Sequence, residues 1–178
     1  MEILKRFYIA VSLIALCGIF CAAQTAHEYK VQAASLFHFS CFVDWPASAF
    51  ETPKSPIVIG VVGKNPFGDA LDQLVEDTAP GAHPIEIQYF ETAADITACH
   101  ILYINLADTK AAKAVVQKMA GQNVLTVSHG ADFTDVGGMI RLYTENAKMK
   151  IQINTAATKS EGLTVSTKLL KLAEVKHE

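Results

Sequence analysis

The 178-residue sequence predicts a single-domain α/β fold of Rossmann-like type. Three layers are expected: a mostly parallel sheet, helices on both of its faces, and an antiparallel hairpin at one edge. Three observations lead there. Ile57–Val62 is a continuous apolar run rich in branched residues, and Ile101–Ile104 and Val124–Val127 are mainly apolar too, as strands covered on both faces are. Stretches of helical spacing lie between such runs, the order that parallel strands joined by crossover helices require. After residue 137 the rhythm changes. Met149, Ile151 and Ile153 alternate with Lys150, Gln152 and Asn154, the period of a strand with one covered face.

Taken in order, the chain opens on Lys5 and Arg6, followed by an apolar run over Phe7–Phe20 and the small residues of Cys21-Ala22-Ala23. That pattern predicts a secretory signal peptide, residues 1–23, cleaved after Ala23, with 24–178 as the exported α/β domain. A lipid-bearing Cys21 and an uncleaved anchor compete with it; the bulky Phe20 before that cysteine counts against the first. Cleavage removes Lys5, Arg6 and Glu2, so the 15 basic and 18 acidic side chains of the whole chain become 13 and 17, a net charge of −4. No basic stripe of the kind nucleic acid needs is present. Cys17 and Cys21 leave with the signal. Cys41 and Cys99 remain, and whether they meet to pair is left open by the sequence.

Tyr29–Pro46 is expected to form the leading helix, stopped by Pro46 because the residue before a proline is pushed out of the helical region. Tyr29, Ala33, Leu36, Phe37, Ser40 and Val43 share one side of it and should face the core. The other side is also apolar: Val31, His38, Phe42 and Trp45 recur there. A helix greasy on two sides needs two covers, so these four are candidate partner-binding residues. Trp45 admits a plainer reading as a core anchor at a helix end.

Pro53 and Pro56 mark a loop, and Ile57–Val62 is the first sheet strand. Asn65 suits an N-cap and Pro66 a first helical position, so a helix is expected over Phe67–Glu76 with Leu71, Leu74 and Val75 inwards. Thr78–Gly81 should break it. Ile85–Phe90 reads as an edge strand and Ile101–Ile104 as a buried one. Asp108–Ala120 reads as a helix with Ala112, Val115, Val116 and Met119 inwards. After Val124–Val127 comes a polar turn, Ser128–Asp135. The hairpin follows, over Gly138–Tyr143 and Lys148–Asn154, with Asn154 as a structural hydrogen-bonder, and a last helix is expected over Ser166–Val175.

Ligands of open α/β sheets sit beyond the carboxyl ends of the strands where strand order reverses. Lys64, Asn65, Asn105, Ser128 and His129 occupy those ends and are the candidate ligand-cleft residues. The stretch Gly63–Gly68 is no phosphate loop: it lacks the closing Gly-Lys-Ser/Thr, and Pro66 removes an amide. No His-x-x-x-His pair with a carboxylate marks a metal site, no Gly-x-Ser-x-Gly elbow marks a nucleophile, and no cofactor motif is present. A non-catalytic protein is expected.

The motifs Tyr29-Lys-Val-Gln-Ala-Ala34, Phe39-Ser-Cys-Phe-Val-Asp-Trp-Pro46, Gly63-Lys-Asn-Pro-Phe-Gly-Asp-Ala-Leu71, Cys99-His-Ile-Leu-Tyr-Ile104, Val124-Leu-Thr-Val-Ser128, Gly137-Gly-Met-Ile140, Ile151-Gln-Ile-Asn-Thr-Ala-Ala157 and Ser166-Thr-Lys-Leu-Leu-Lys-Leu-Ala173 run in order through the expected mature chain. Their series resembles the YfiR family. The resemblance implies a periplasmic α/β regulator, dimeric, that holds the periplasmic sensor region of an inner-membrane diguanylate cyclase inactive. Release then raises cyclic-di-GMP and favours biofilm. It also implies redox sensitivity through a cysteine of the first sheet strand paired with the equivalent of Cys99. Here the corresponding position is Gly60, so gating by that bond is not expected. The alternative function is a periplasmic small-ligand sensor that uses the strand-end cleft.

Overall fold

In a computed structural model, the described residues are 27–77 and 83–177. The expected signal peptide and the expected break at Thr78–Gly81 lie outside them. The described residues open with a helix over residues 27–42 (α1), then a two-residue strand β1 (Val43–Asp44). Next come β2 (Ile57–Gly63), α2 (Ala70–Glu76), β3 (Ile85–Phe90), β4 (Ile101–Asn105), α3 (Thr109–Met119) and β5 (Leu125–Ser128). The hairpin β6 (Ile140–Glu145) and β7 (Lys148–Asn154) follows. Four short elements close the chain: α4 (Thr155–Ser160), β8 (Thr164–Val165), α5 (Thr167–Leu170) and β9 (Glu174–Lys176).

The main sheet has seven strands in the order β3-β2-β4-β5-β6-β7-β9. Every neighbouring pair is parallel except β6–β7. The expected fold class holds. Side-chain alternation splits the apolar runs between two cores. Ile59, Val61, Ile101, Tyr103, Leu125, Val127, Ile140 and Ile153 point to the face covered by α1, α2 and the 163–169 segment. Val58, Val62, Leu102 and Ile104 point to the other, where Ala112, Val115 and Met119 of α3 cover them. Asp108 caps α3 by accepting from the Lys110 amide at 2.9 Å, as its place before the helix predicts.

Four elements differ from the sequence expectation, each for a physical reason. The leading helix ends at residue 42 rather than at Pro46. Val43 and Asp44 pair antiparallel with Val165 and Thr164, and the Phe42 carbonyl accepts from the Ser166 amide at 2.8 Å. A partner 120 residues away takes the last turn, and no local pattern announces it. The buried stripe of α1 is Gln32, Ala33, Leu36 and Phe39, with Phe37 and Ser40 only half-buried. The helix is rotated from the expected setting, so that Gln32 lies on the core side, where its side-chain oxygen accepts from the buried Tyr103 hydroxyl.

Helix α2 starts at Ala70. Asn65 does accept a backbone amide, from Phe67 at 2.8 Å, but its own amide donates to the Gly68 carbonyl, and that closes a turn instead of opening a helix. The expected C-terminal helix is one turn, capped by Ser166. Glu174–Lys176 then add to the sheet beside β7, so the hairpin is flanked by a further edge strand. Helix α4 has no counterpart among the expected elements. Asn154 caps it by accepting from the Ala157 amide at 3.0 Å, the structural bonding role expected of that residue.

One close approach is set by a glycine. A β-carbon on Gly138 would lie 2.3 Å from the Phe133 ring, so only glycine lets that buried ring sit over the entry to β6. The hairpin turn instead asks an alanine to do glycine's work: Asn146 and Ala147 have φ of 50° and 58°, the mirror-image two-residue turn. Ala147→Gly should relieve that strain and raise stability by about 1 kcal/mol, read as a rise of a few degrees in melting temperature.

Candidate functional site

The candidate partner-binding residues run along the outer side of α1, from Val31 near its start through His38 to Phe42 and Trp45 at the corner where α1 becomes β1. Val31 and Phe42 are half-buried and His38 is exposed on the outer side of α1. The His38 ring lies 5.7 Å from Phe37 and 6.3 Å from Phe42, so the three rings form a short aromatic row. Trp45 is not on the helix. It sits beyond β1, half-buried, and donates its indole N–H to the His100 carbonyl at 3.3 Å. Phe42 and Trp45 each rest one side on the α1-face core and leave the other uncovered by the chain. Large aromatic area held rigid and half wet is the chemistry of interface anchors.

The candidate cleft residues lie at the carboxyl ends of β2, β4 and β5 as expected, and the side chains of Asn65, Asn105 and Ser128 are engaged with the backbone, while Lys64 is exposed. Asn105 donates to the Lys64 carbonyl at 2.6 Å, bridging the ends of β2 and β4 where strand order reverses. Ser128 donates to the Ile104 carbonyl at 2.7 Å and accepts from the Gly130 amide. Asn65 is spent on its turn.

His129 has a more specific place. Its ring stacks on Tyr103 with centroids 6.3 Å apart and meets Tyr29 edge-on at 6.4 Å. The Tyr103 hydroxyl donates its one proton to Gln32 Oε1 at 2.6 Å. The contact of 3.1 Å between that oxygen and His129 Nδ1 must then be donated by the imidazole. The proton therefore sits on Nδ1, and Nε2 is left as an acceptor. Burial of the ring against Tyr103 lowers the His129 pKa below the ordinary imidazole value, with the Glu28 charge pulling the other way.

Tyr103 and Gln32 are the members of this cluster that sequence reasoning missed. Tyr103 reads as one more apolar strand residue, and it is wholly buried. Gln32 did carry a signal: it stands four residues before Leu36 on the apolar side of the helix, where a polar group needs a partner. Tyr103→Phe removes the partner and strands the buried Gln32 amide. It should cost about 1–3 kcal/mol, measured by urea unfolding, with the fold retained.

Cys41 and Cys99 are free thiols. Cys41 is exposed on α1, whereas Cys99 is buried in the core on the α3 face, so the sheet stands between them and the pairing left open by the sequence is not made. Burial pushes the Cys99 thiol up to about 12 and keeps it neutral. A β-carbon built on Gly60 would lie 3.5 Å from the Cys99 β-carbon, within disulfide range, and 2.8 Å from the edge of the Phe90 ring. Gly60→Cys should therefore cross-link to Cys99 under oxidising conditions once Phe90 gives way. The bond should add about 2–4 kcal/mol of stability that a reductant removes, checked by thiol titration and melting with and without reductant.

Away from both places, a recess of about 130 Å³ lies between α3 and α4, lined by Val116, Met119, Thr126, Met139 and Glu161 among others. Glu161 is buried there, with its carboxylate accepting from the Gly121 and Asn123 amides at 2.7 and 3.1 Å. It ties the end of α3 to the end of α4. Among the described residues, no group of three or more His, Cys, Asp or Glu is placed to hold a metal ion.

The profile of the YfiR/HmsC-like family matches residues 29–174 of the chain. Among solved structures, a conserved domain protein from Vibrio cholerae is 15% identical with a TM-score of 0.47, over 67% of this chain and 54% of that one. The ABC domain of a Streptococcus pneumonia protein, in complex with L-Trp, is 12% identical with a TM-score of 0.49, over 67% and 55%. The chain spans about half the length of each. Both likenesses are too distant to bear on function.

Proposed function

Because the chain belongs to the YfiR/HmsC-like family, whose members are regulatory, we propose that it is a periplasmic repressor that docks on the sensor region of an inner-membrane signalling enzyme. In this reading residues 1–23 are removed on export and the working unit is a homodimer. The partner is a diguanylate cyclase, and docking lowers cyclic-di-GMP. The protein is a binder, not a catalyst.

The observation that carries the proposal is the aromatic corner. Phe42 and Trp45 are pinned on their inner sides by the core and by the His100 carbonyl, yet each keeps a part of its ring surface uncovered by this chain. Preorganised side chains of this kind lose little freedom on binding, so each can contribute about 2 kcal/mol or more at an interface centre. Val31 and His38 extend the same strip along α1.

Trp45→Ala and Phe42→Glu should each weaken binding to the purified sensor region by about tenfold or more, seen by calorimetry, while circular dichroism stays that of the parent. Cells carrying either variant should show raised cyclic-di-GMP. Parent-like binding by both folded variants, or collapse of the fold in both, refutes the assignment of this face.

A second reading, a small-ligand sensor, rests on one observation: His129 offers an unprotonated Nε2 at the strand ends. Melting the protein against nucleotides and amino acids separates the two. Stabilisation that His129→Gln abolishes supports the sensor, and none from any compound supports the repressor alone.

A further inference from the structure

Residues 45–56 leave the sheet region, make one 3₁₀ turn (Ala47–Ala49) with no buried residue, and return at Ile57. Aromatic stacking and imidazole hydrogen bonds hold the segment down. The Phe50 ring is sandwiched between two imidazoles, His83 at 4.4 Å and 10° and His100 at 4.7 Å and 22°. His83 Nδ1 lies 2.7 Å from the Ser55 carbonyl, which can only accept, so that nitrogen carries a proton.

His100 holds more of the segment. Its Nε2 donates to the Ala49 carbonyl at 3.1 Å, and its own carbonyl receives the Trp45 indole N–H. The indole also meets the imidazole edge-on at 6.2 Å. On the other side, His100 Nδ1 accepts the Val58 amide proton at 3.0 Å. Both ring nitrogens are thus committed in one tautomer, with Nε2 protonated and Nδ1 bare. A second proton has only Nδ1 to go to, and there it would face the Val58 N–H head-on. The ring would have to give up that bond and swing. The Ala49 bond, the Phe50 stack and the edge-on meeting with Trp45 depend on where it stands, whereas the indole bond to the backbone carbonyl does not.

We propose that His100 is a proton-operated latch that clamps residues 45–56 against the sheet when neutral and releases them when charged. The surrounding charges do nothing to spare it. Among the described residues His83, across the Phe50 ring, is the titratable group that bears on it, and it opposes a second positive charge. Asp44, Glu51 and Lys54 lie on the segment or beside it and are exposed. The neighbouring Cys99 is neutral and buried on the opposite face of the sheet. Burial is the largest cause that moves the His100 pKa below its ordinary value, partly offset by the bond to Ala49.

The sign follows from this depression. The clamped state prefers the neutral ring, so clamping is complete above about pH 6.5 and is lost as pH falls below it through the depressed value. Trp45 belongs to the strip assigned to partner binding, so acidification would alter that strip. This last consequence rests on the repressor reading; the latch does not.

Trp45 is the single tryptophan of the chain, so its fluorescence reports on the latch directly. Titrating the purified protein from about pH 7.5 to about pH 5 should red-shift its emission and raise acrylamide quenching about twofold, with far-ultraviolet circular dichroism unchanged. His100→Asn, which keeps an acceptor for the Val58 amide but does not titrate, should abolish the transition. His129→Gln should keep it. Persistence of the transition in His100→Asn, or its loss in His83→Gln alone, overturns the assignment, as does a parent that stays folded and unshifted over the whole range. Should His100→Asn not fold, hydrogen exchange of the parent decides. Faster exchange at low pH confined to 45–56 sustains the latch, and uniform acceleration refutes it. Binding to the sensor region, measured on the same samples, tests the partner reading apart from the latch.

Discussion

Strands β2, β4 and β5 have no wet face. Apolar side chains point both ways from them, with Thr126 and Ser128 as buried polar exceptions, and the sheet is stable only if both sides are roofed. That requirement sets the remaining architecture. α3 covers much of one side, helped by Ile96 and Phe133 from the loops beside it. The other side needs α1, α2 and the stretch around Leu163 and Leu169, brought in from both ends of the chain. α1 precedes every sheet strand in sequence and still sits over the centre of the sheet. The β1–β8 pairing fastens it there by joining the chain's beginning to its end.

Much of this was legible in the residues. Continuous apolar runs marked the central strands, alternation marked β7, and Asp108 with Gly121 bracketed α3 within a residue or two. What failed were elements whose state is decided far away. Val43–Asp44 lie in a helical pattern and become a strand because Thr164–Val165 offer backbone partners. Glu174 and Val175 continue a leucine-rich helical pattern and become part of the sheet edge because β7 has a free side. α4 is too short to show a period at all, and only its cap, Asn154, was readable.

The candidate site was legible in position more than in content. The strand-end rule located Asn105, Ser128 and His129 correctly in the fold, but it says nothing about what those side chains hold. Asn105 bridges two strand ends and Ser128 bonds backbone, so both serve the architecture. The residues that give His129 its character, Tyr103 and Gln32, come from the middle of a strand and the buried side of a helix. Apolar periodicity hid the first and could not assign the second. The aromatic corner was legible as a greasy strip. That Trp45 hangs from a histidine carbonyl was not, because fifty-five residues separate them.

The sheet's two outermost strands carry a further consequence. β9 is three residues long with Glu174 and Lys176 at its ends, and β3 presents Glu86 among its half-covered residues. Brevity and charge discourage rows of unpaired amides from recruiting another molecule's strand. Guards of this kind lower the tendency of a sheet to grow by strand addition from its two edges.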